Sequence, residues 1–174
     1  MKKKTELEMF GIFFEVEQFS ATEGLEILFT KDKIHPTRYL SKCVMVKGNE
    51  RFDMGVAANI NRHLFDRAKI VPPTGVLSAL IKLVDSFNFE FLVGWDAVKV
   101  PSRFISGART VSSKGTPSII AQLIQDGIAT KKELEEYYSL EDAFQMLDVM
   151  TAKGVNAALA NEAAEREREG KRTR

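Results

Sequence analysis

The first readable pattern is an alternation. Phe10, Ile12, Phe14 and Val16 share one face of an extended segment, with Gly11, Glu15 and Glu17 between them, which predicts β structure and a short hairpin turning near Gly11. Ser20-Ala-Thr-Glu23 then has the form of a capping box, in which the serine oxygen and the glutamate carboxylate satisfy opposite orphan amides. A helix of about two to three turns carrying Leu25, Ile27, Leu28 and Phe29 is expected to follow. His35-Pro36 punctuates the chain, since proline disfavours helix at the residue before it and suits the first helical position. The next helix is predicted through Tyr39, Leu40, Cys43, Val44 and Val46, ending at Lys47-Gly48-Asn49. A further amphipathic helical stretch is predicted over Phe52, Val56, Ile60, Leu64 and Phe65, spaced by threes and fours.

Val71-Pro72-Pro73-Thr74 is the clearest internal stop and start. Beyond it Val76, Leu77, Leu80, Ile81, Val84 and Phe87 form a wide helical stripe, continued past Asn88 by Phe89, Phe91, Leu92 and Trp95. Phe87, Phe89 and Phe91 also alternate, so a strand competes there, although the long preceding stripe favours helix. From 102 to 116 glycine, serine, threonine and cations replace apolar residues, which predicts a mobile loop. Pro117-Ser-Ile-Ile-Ala-Gln-Leu-Ile reads as a short helix closed by Gly127 as a left-handed cap. Thr130-Lys-Lys-Glu133 is a second capping box, and Ser139-Leu-Glu-Asp142 opens the last helix, whose apolar face is Leu140, Ala143, Phe144, Leu147 and Met150. Past Gly154 that face thins to Val155, Ala158 and Leu159, and the chain runs into the charge-dense NEAAEREREGKRTR. The expected fold is α+β and mainly α: an N-terminal β-hairpin followed by a compact bundle of short helices. A single globular unit over 1–154 precedes a charged helical or disordered tail over 155–174.

Composition narrows the function classes. The chain has 174 residues, 25 Lys+Arg against 24 Asp+Glu, and a formal charge of +1, so no global field favours nucleic acid or an anionic membrane. Lys2-Lys3-Lys4 resembles the start of a signal peptide, but Glu6 and Glu8 interrupt the apolar run such a peptide needs, so secretion is not expected. Asp85, Asn88, Glu90 and Asp96 break up the most apolar region, which leaves no membrane span. The single cysteine, Cys43, removes any intramolecular disulfide and fits a reducing compartment.

Chemistry-bearing motifs are scarce. The phosphate loop, the dinucleotide turn, the H-E-x-x-H helix and the nucleophile elbow are not found. His35 and His63 could join Cys43 as ligands, but its apolar surroundings predict an inert buried thiol. Glu133, Glu135, Glu136, Glu141 and Asp142 fall in or beside first turns, where capping and the helix dipole account for them. The basic features, Lys2 to Lys4 with Lys171, Arg172 and Arg174, and Arg103, Arg109 and Lys114, are not interleaved with exposed aromatics as stacking platforms require. No enzyme activity, cofactor or metal is therefore expected. The dense aromatics Phe87, Phe89, Phe91 and Trp95 read first as core and second as an exposed protein-binding site.

Two passages carry a resemblance. FFEVEQFSATEGLEILFT, a short hairpin run into an A-T-x-G-L helix, resembles the opening of tail assembly chaperones of long-tailed bacteriophages. GTPSIIAQLIQDGIATKKELEEYYSLEDAFQMLDVM, with paired tyrosines and Ser-Leu-Glu-Asp opening a Met/Leu helix, is similar to their C-terminal half. The resemblance implies a non-enzymatic protein of the host cytoplasm, absent from the mature virion. Its implied partners are the tape-measure protein, which it keeps soluble, and the tail-tube protein, with homo-oligomerisation as a further option and no membrane. A ribosomal frameshift appends a second domain in many such proteins. Phe89, Phe91, Trp95, Arg103, Phe144, Leu147 and Met150 are the candidate partner-binding residues. A structural tail or baseplate component and a small nucleic-acid-binding regulator are the competing expectations.

Overall fold

A computed structural model describes residues 1–30, 34–105 and 115–172. The predicted hairpin forms from β1 (Lys4–Met9) and β2 (Ile12–Glu17), in register from Lys4 opposite Glu17 to Met9 opposite Ile12. Its turn residues Phe10 and Gly11 have φ of 54° and 72°, the pair of positive values that a two-residue turn matched to strand twist requires. Helix α1 (Ala21–Thr30) follows through the expected capping box: the Ser20 amide donates to Glu23 Oε2 at 3.2 Å and the Glu23 amide to Ser20 Oγ at 3.3 Å.

The sequence reading fails over the next segment. Helix α2 is only Pro36–Tyr39, and Cys43–Lys47 is strand β3, paired antiparallel with β2 and turning at Gly48 into β4 (Glu50–Asp53). Cys43 and Met45 point into the core while Val44 and Val46 are half-buried on the other face, an alternation with β-branched valines that suits a strand. Gly48, expected to end a helix, supplies φ +60° for a hairpin turn. The expected helix from Phe52 to Phe65 shrinks accordingly to α3 (Ala57–His63), because Phe52 belongs to β4.

The four strands lie in sequence order, and the inner face of the sheet, with Ile12, Phe14, Val16, Cys43 and Met45, is buried. Against this core lies α4 (Pro73–Phe89), whose Val76, Leu80 and Val84 recur at helical spacing and are fully buried. Asn88 does not interrupt α4. Its buried side chain donates to the Val84 carbonyl at 2.8 Å and accepts the Phe19 amide at 2.8 Å, pinning the joint between β2 and α1 to the helix. The helix reading over 87–91 holds: a 3-10 turn (Glu90–Leu92) extends α4.

Helices α5 (Ser118–Gln125) and α6 (Lys131–Glu136) lead to α7 (Leu140–Arg172), with Gly127 at φ +67° after α5 and a complete Thr130/Glu133 capping box before α6. Residues 106–114, most of the predicted mobile loop, lie outside the described residues, and 102–104 form a 3-10 turn. The tail past Gly154 continues α7 as helix through Arg172. The architecture is α+β and mainly α, as expected. Among the described residues no helix is long and apolar enough to cross a membrane.

Candidate partner-binding groove

Helix α7 sets the site, and its start is fixed by the N-terminal third. Ser139 and Ser20 form an antiparallel bridge, with the Ala21 amide donating to the Tyr138 carbonyl at 2.8 Å. Each serine caps its own helix. The Ser139 amide and hydroxyl both donate to Asp142 Oδ2 at 2.8 Å. Burial pushes the Asp142 carboxyl up, but the N-terminal amine 2.5 Å away and the Ser139 donors outweigh it and hold it below the usual range. Gly24, the glycine of A-T-x-G-L, lets α1 approach this start closely: a Cβ there would lie 3.1 Å from Leu140 Cβ. Leu140 and Ala143 are thereby buried, and the rest of the helix is free to serve other neighbours.

One of those neighbours is the chain after α4. Phe91, Trp95 and Phe144 meet edge to face, with ring centroids 5.7 to 5.8 Å apart in all three pairs. From there the chain follows α7: the Val98 amide donates to Asp148 Oδ1 at 3.3 Å, and Arg103 Nε to Glu162 Oε1 at 2.9 Å. The guanidinium of Arg103 also sits 4.6 Å from the Phe104 ring centroid. Residues 98–101 run beside α7 up to the 3-10 turn over 102–104, from which the Arg103 side chain reaches Glu162, about 21 Å along the helix from Asp148.

Between this strap and α5 an open groove of about 1110 Å³ runs over α7. Val100 and Phe104 form one wall, and Gln122, Asp126 and Ile128 the other. The floor is Met146, Val149, Met150, Lys153, Ala157 and Ala158, residues at the three-and-four spacing of one helix face. Val149 is 71% exposed there, a large apolar side chain turned to solvent. The groove follows α7 from Asp142 to Ala158, about 24 Å or four to five turns of helix. Asp142 at its end is already engaged; the rest of the lining is mostly apolar, with Gln122, Asp126, Gln145, Thr151 and Lys153 adding polar groups along it. Such a surface suits a polypeptide with an apolar stripe, because methionines re-pack around varied side chains.

The sequence-predicted residues separate into groups. Phe91, Trp95 and Phe144 come together as the aromatic cluster at the head of the strap. Met150 lines the groove, Arg103 anchors the strap, and Leu147 is half-buried on α7, its carbonyl accepting from Thr151 Oγ1 at 2.8 Å. Phe89 stands apart at 7% exposure, stacked 6.4 Å from Phe19 within the core. Met146 and Val149 were legible as extensions of the α7 stripe. Val100, Phe104 and Ile128 come from distant segments that only tertiary structure brings to the groove.

The other candidates have local roles. Cys43 is fully buried, and burial, with Asp53 nearby, pushes its thiol up to about 12. His63 packs 4.0 Å from the Phe52 ring, and His35 Nδ1 accepts the Thr37 amide at 3.3 Å. Among the described residues no cluster of three His, Cys, Asp or Glu could hold a metal. Hydrogen bonds from Thr130, its backbone amide first, hold Glu133 below the usual carboxylate range. Lys2 and Lys4 pair with Glu17 at 3.0 and 3.2 Å, and Lys3 with Glu141 at 2.7 Å, so the N-terminal basic run is largely neutralised. Arg109 and Lys114 lie outside the described residues. Comparison of the chain with protein families, curated proteins and solved structures gave no match.

Proposed function

We propose that this chain is a non-enzymatic tail assembly chaperone of a long-tailed bacteriophage, binding the tape-measure protein and helping to recruit tail-tube subunits in the host cytoplasm. One observation carries the reading: the mostly apolar groove on α7, with Met146 and Met150 on its floor, long enough for four to five turns of helix and bordered by charged side chains. A tape-measure helix exposes apolar stripes until the tube encloses it, and its partner needs an adaptable apolar trough with a soluble exterior. The resemblance of the segments at 13–30 and 115–150 to such chaperones supports the same role, since 139–150 builds both the start of α7 and the first part of the groove floor.

Co-expression with a tape-measure fragment tests it. The fragment is expected to stay soluble and copurify with the wild-type chain, and to aggregate with Val149→Asp, which places a charge on the groove floor. Equal aggregation with and without the chain overturns the role. Stoichiometric recovery from purified virions by mass spectrometry points instead to a structural tail component.

A further inference from the structure

Far along the chain from the α7 groove, the β1–β2 turn and the loop joining α3 to α4 meet. The Arg67 amide donates to the Phe10 carbonyl at 3.4 Å, and the Arg67 stem packs over Gly11, where a Cβ would come within 3.2 Å of it. The loop is firmly held. Buried Asp66 accepts the amides of Ala68, Ile70 and Val71 at 2.9, 2.8 and 2.9 Å, and Lys69 turns the chain at φ +57°. Those amides, Val71 first, hold the Asp66 carboxyl below its usual range, so it is ionised at neutral pH.

What this framework presents is unusual. Phe65 is 48% exposed and Ile70 83%, flanked by Arg62, Arg67 and Lys69, all exposed and in no ion pair among the described residues. A buried carboxylate holds this loop, strained at Lys69, in a form that buries Leu64 but turns Phe65 and Ile70 to water, and core burial does not explain those two side chains. Beside the same turn the outer sheet face carries the opposite sign. The register sets Glu8, Phe13, Val46 and Arg51 in one row across the strands, and Glu6, Glu15, Val44 and Asp53 in the next. Phe13 is 55% exposed, and Arg51 is taken up by a bidentate pair with Glu15, leaving Glu6 and Glu8 without a contact ion pair among the described residues.

We propose that this end of the molecule binds a second copy of the same chain, as a two-fold pair in which the basic loop of each protomer lies on the acidic sheet face of the other. A two-fold operator sets patch one on patch two and patch two on patch one, so self-complementarity requires two adjoining patches of opposite charge, each with apolar residues. Both are present around one turn. An anionic membrane fits less well, because a flat surface reaching Arg67 and Lys69 also meets Glu6 and Glu8. The surface is independent of the α7 groove and of the function proposed for it.

Sedimentation velocity on the full chain reads the association, with a reversible dimer expected that weakens as salt rises. Arg67→Glu sets like charges against Glu8 in both halves of the pair, and Glu8→Arg does the same against Arg67. Each variant alone is expected to lose at least about tenfold in dimer affinity. Their equimolar mixture is expected to recover it, because both cross-contacts again join opposite charges. Both substitutions are at exposed positions, and unchanged circular dichroism and melting verify the fold, with Lys69→Glu as a second reversal on the loop. A wild-type chain that stays monomeric to roughly 100 μM, well above the micromolar range of specific complexes, overturns the proposal. So does a dimer that survives both reversals, a mixture that fails to recover, or a monomer that floats with phosphatidylserine vesicles.

Discussion

The α4 core and the α7 groove use the same residue types to opposite ends. Val76, Leu80 and Val84 on α4 are fully buried in the one core cluster that also holds the inner sheet face and Leu25 and Ile27 of α1, so each methyl group there has fixed neighbours. Met146, Val149 and Met150 on α7 sit at the same helical spacing, yet they line a groove that is open among the described residues, with a wall on either side. The difference lies in what surrounds each helix. Helix α4 contributes a fully buried stripe, whereas α7 is fixed at its first turns by Ser20, Gly24 and Leu140, packs on α5 and on Phe91 and Trp95 through Phe144, and is tied further along by polar contacts at Asp148 and Glu162. Burial is concentrated in the first region, and the second is the one to which we assign the proposed partner.

Substitutions should separate the two. The largest effect is expected for Leu80→Ala, which empties part of a site with no exposure and should cost about 2–5 kcal/mol, read as a lower midpoint in urea unfolding. Asn88→Leu removes the acceptor of the buried Phe19 amide and should cost about 1–3 kcal/mol by the same measurement. A smaller loss should appear on acidification. The folded-state values of Glu133 and Asp66 lie below their unfolded ones, so their contribution is full at neutral pH and disappears as pH falls from about 4 through the folded values. A urea midpoint that is flat between pH 7 and pH 3 contradicts that assignment. Least of all should Val149→Asp matter for folding, within roughly 0.5 kcal/mol, since the side chain is already mostly in water. A Val149→Asp variant that unfolds as readily as Leu80→Ala would erase the distinction between the regions.

Local chemistry was the legible part of the sequence. The three capping motifs at Ser20, Thr130 and Ser139 all form, because a side chain reaching its own helix's third amide depends on nothing distant. The first hairpin was legible for a similar reason: its alternation and its glycine are contiguous. The second hairpin was not, since Cys43 to Val46 is a short apolar run that fits a buried helix turn or a strand equally, and Gly48 can end either. What decided it was the free edge of β2, a non-local fact. The same holds for the groove: its floor was a stripe in the sequence, while Val100, Phe104 and Ile128 reach it from two separate segments. Phe89 and Phe91, two residues apart, show the limit of composition alone. One stacks on Phe19 in the core and the other joins Trp95 and Phe144 at the head of the strap.

The bridge between Ser20 and Ser139 also sets an order of events during synthesis. At roughly 5–20 residues per second, the ribosome needs about ten seconds to travel from one serine to the other. Through that interval the amide of Ala21 has no Tyr138 carbonyl to meet, and Gly24 has no Leu140 to receive. The nascent N-terminal third therefore waits, incompletely closed, until the last helix begins to emerge.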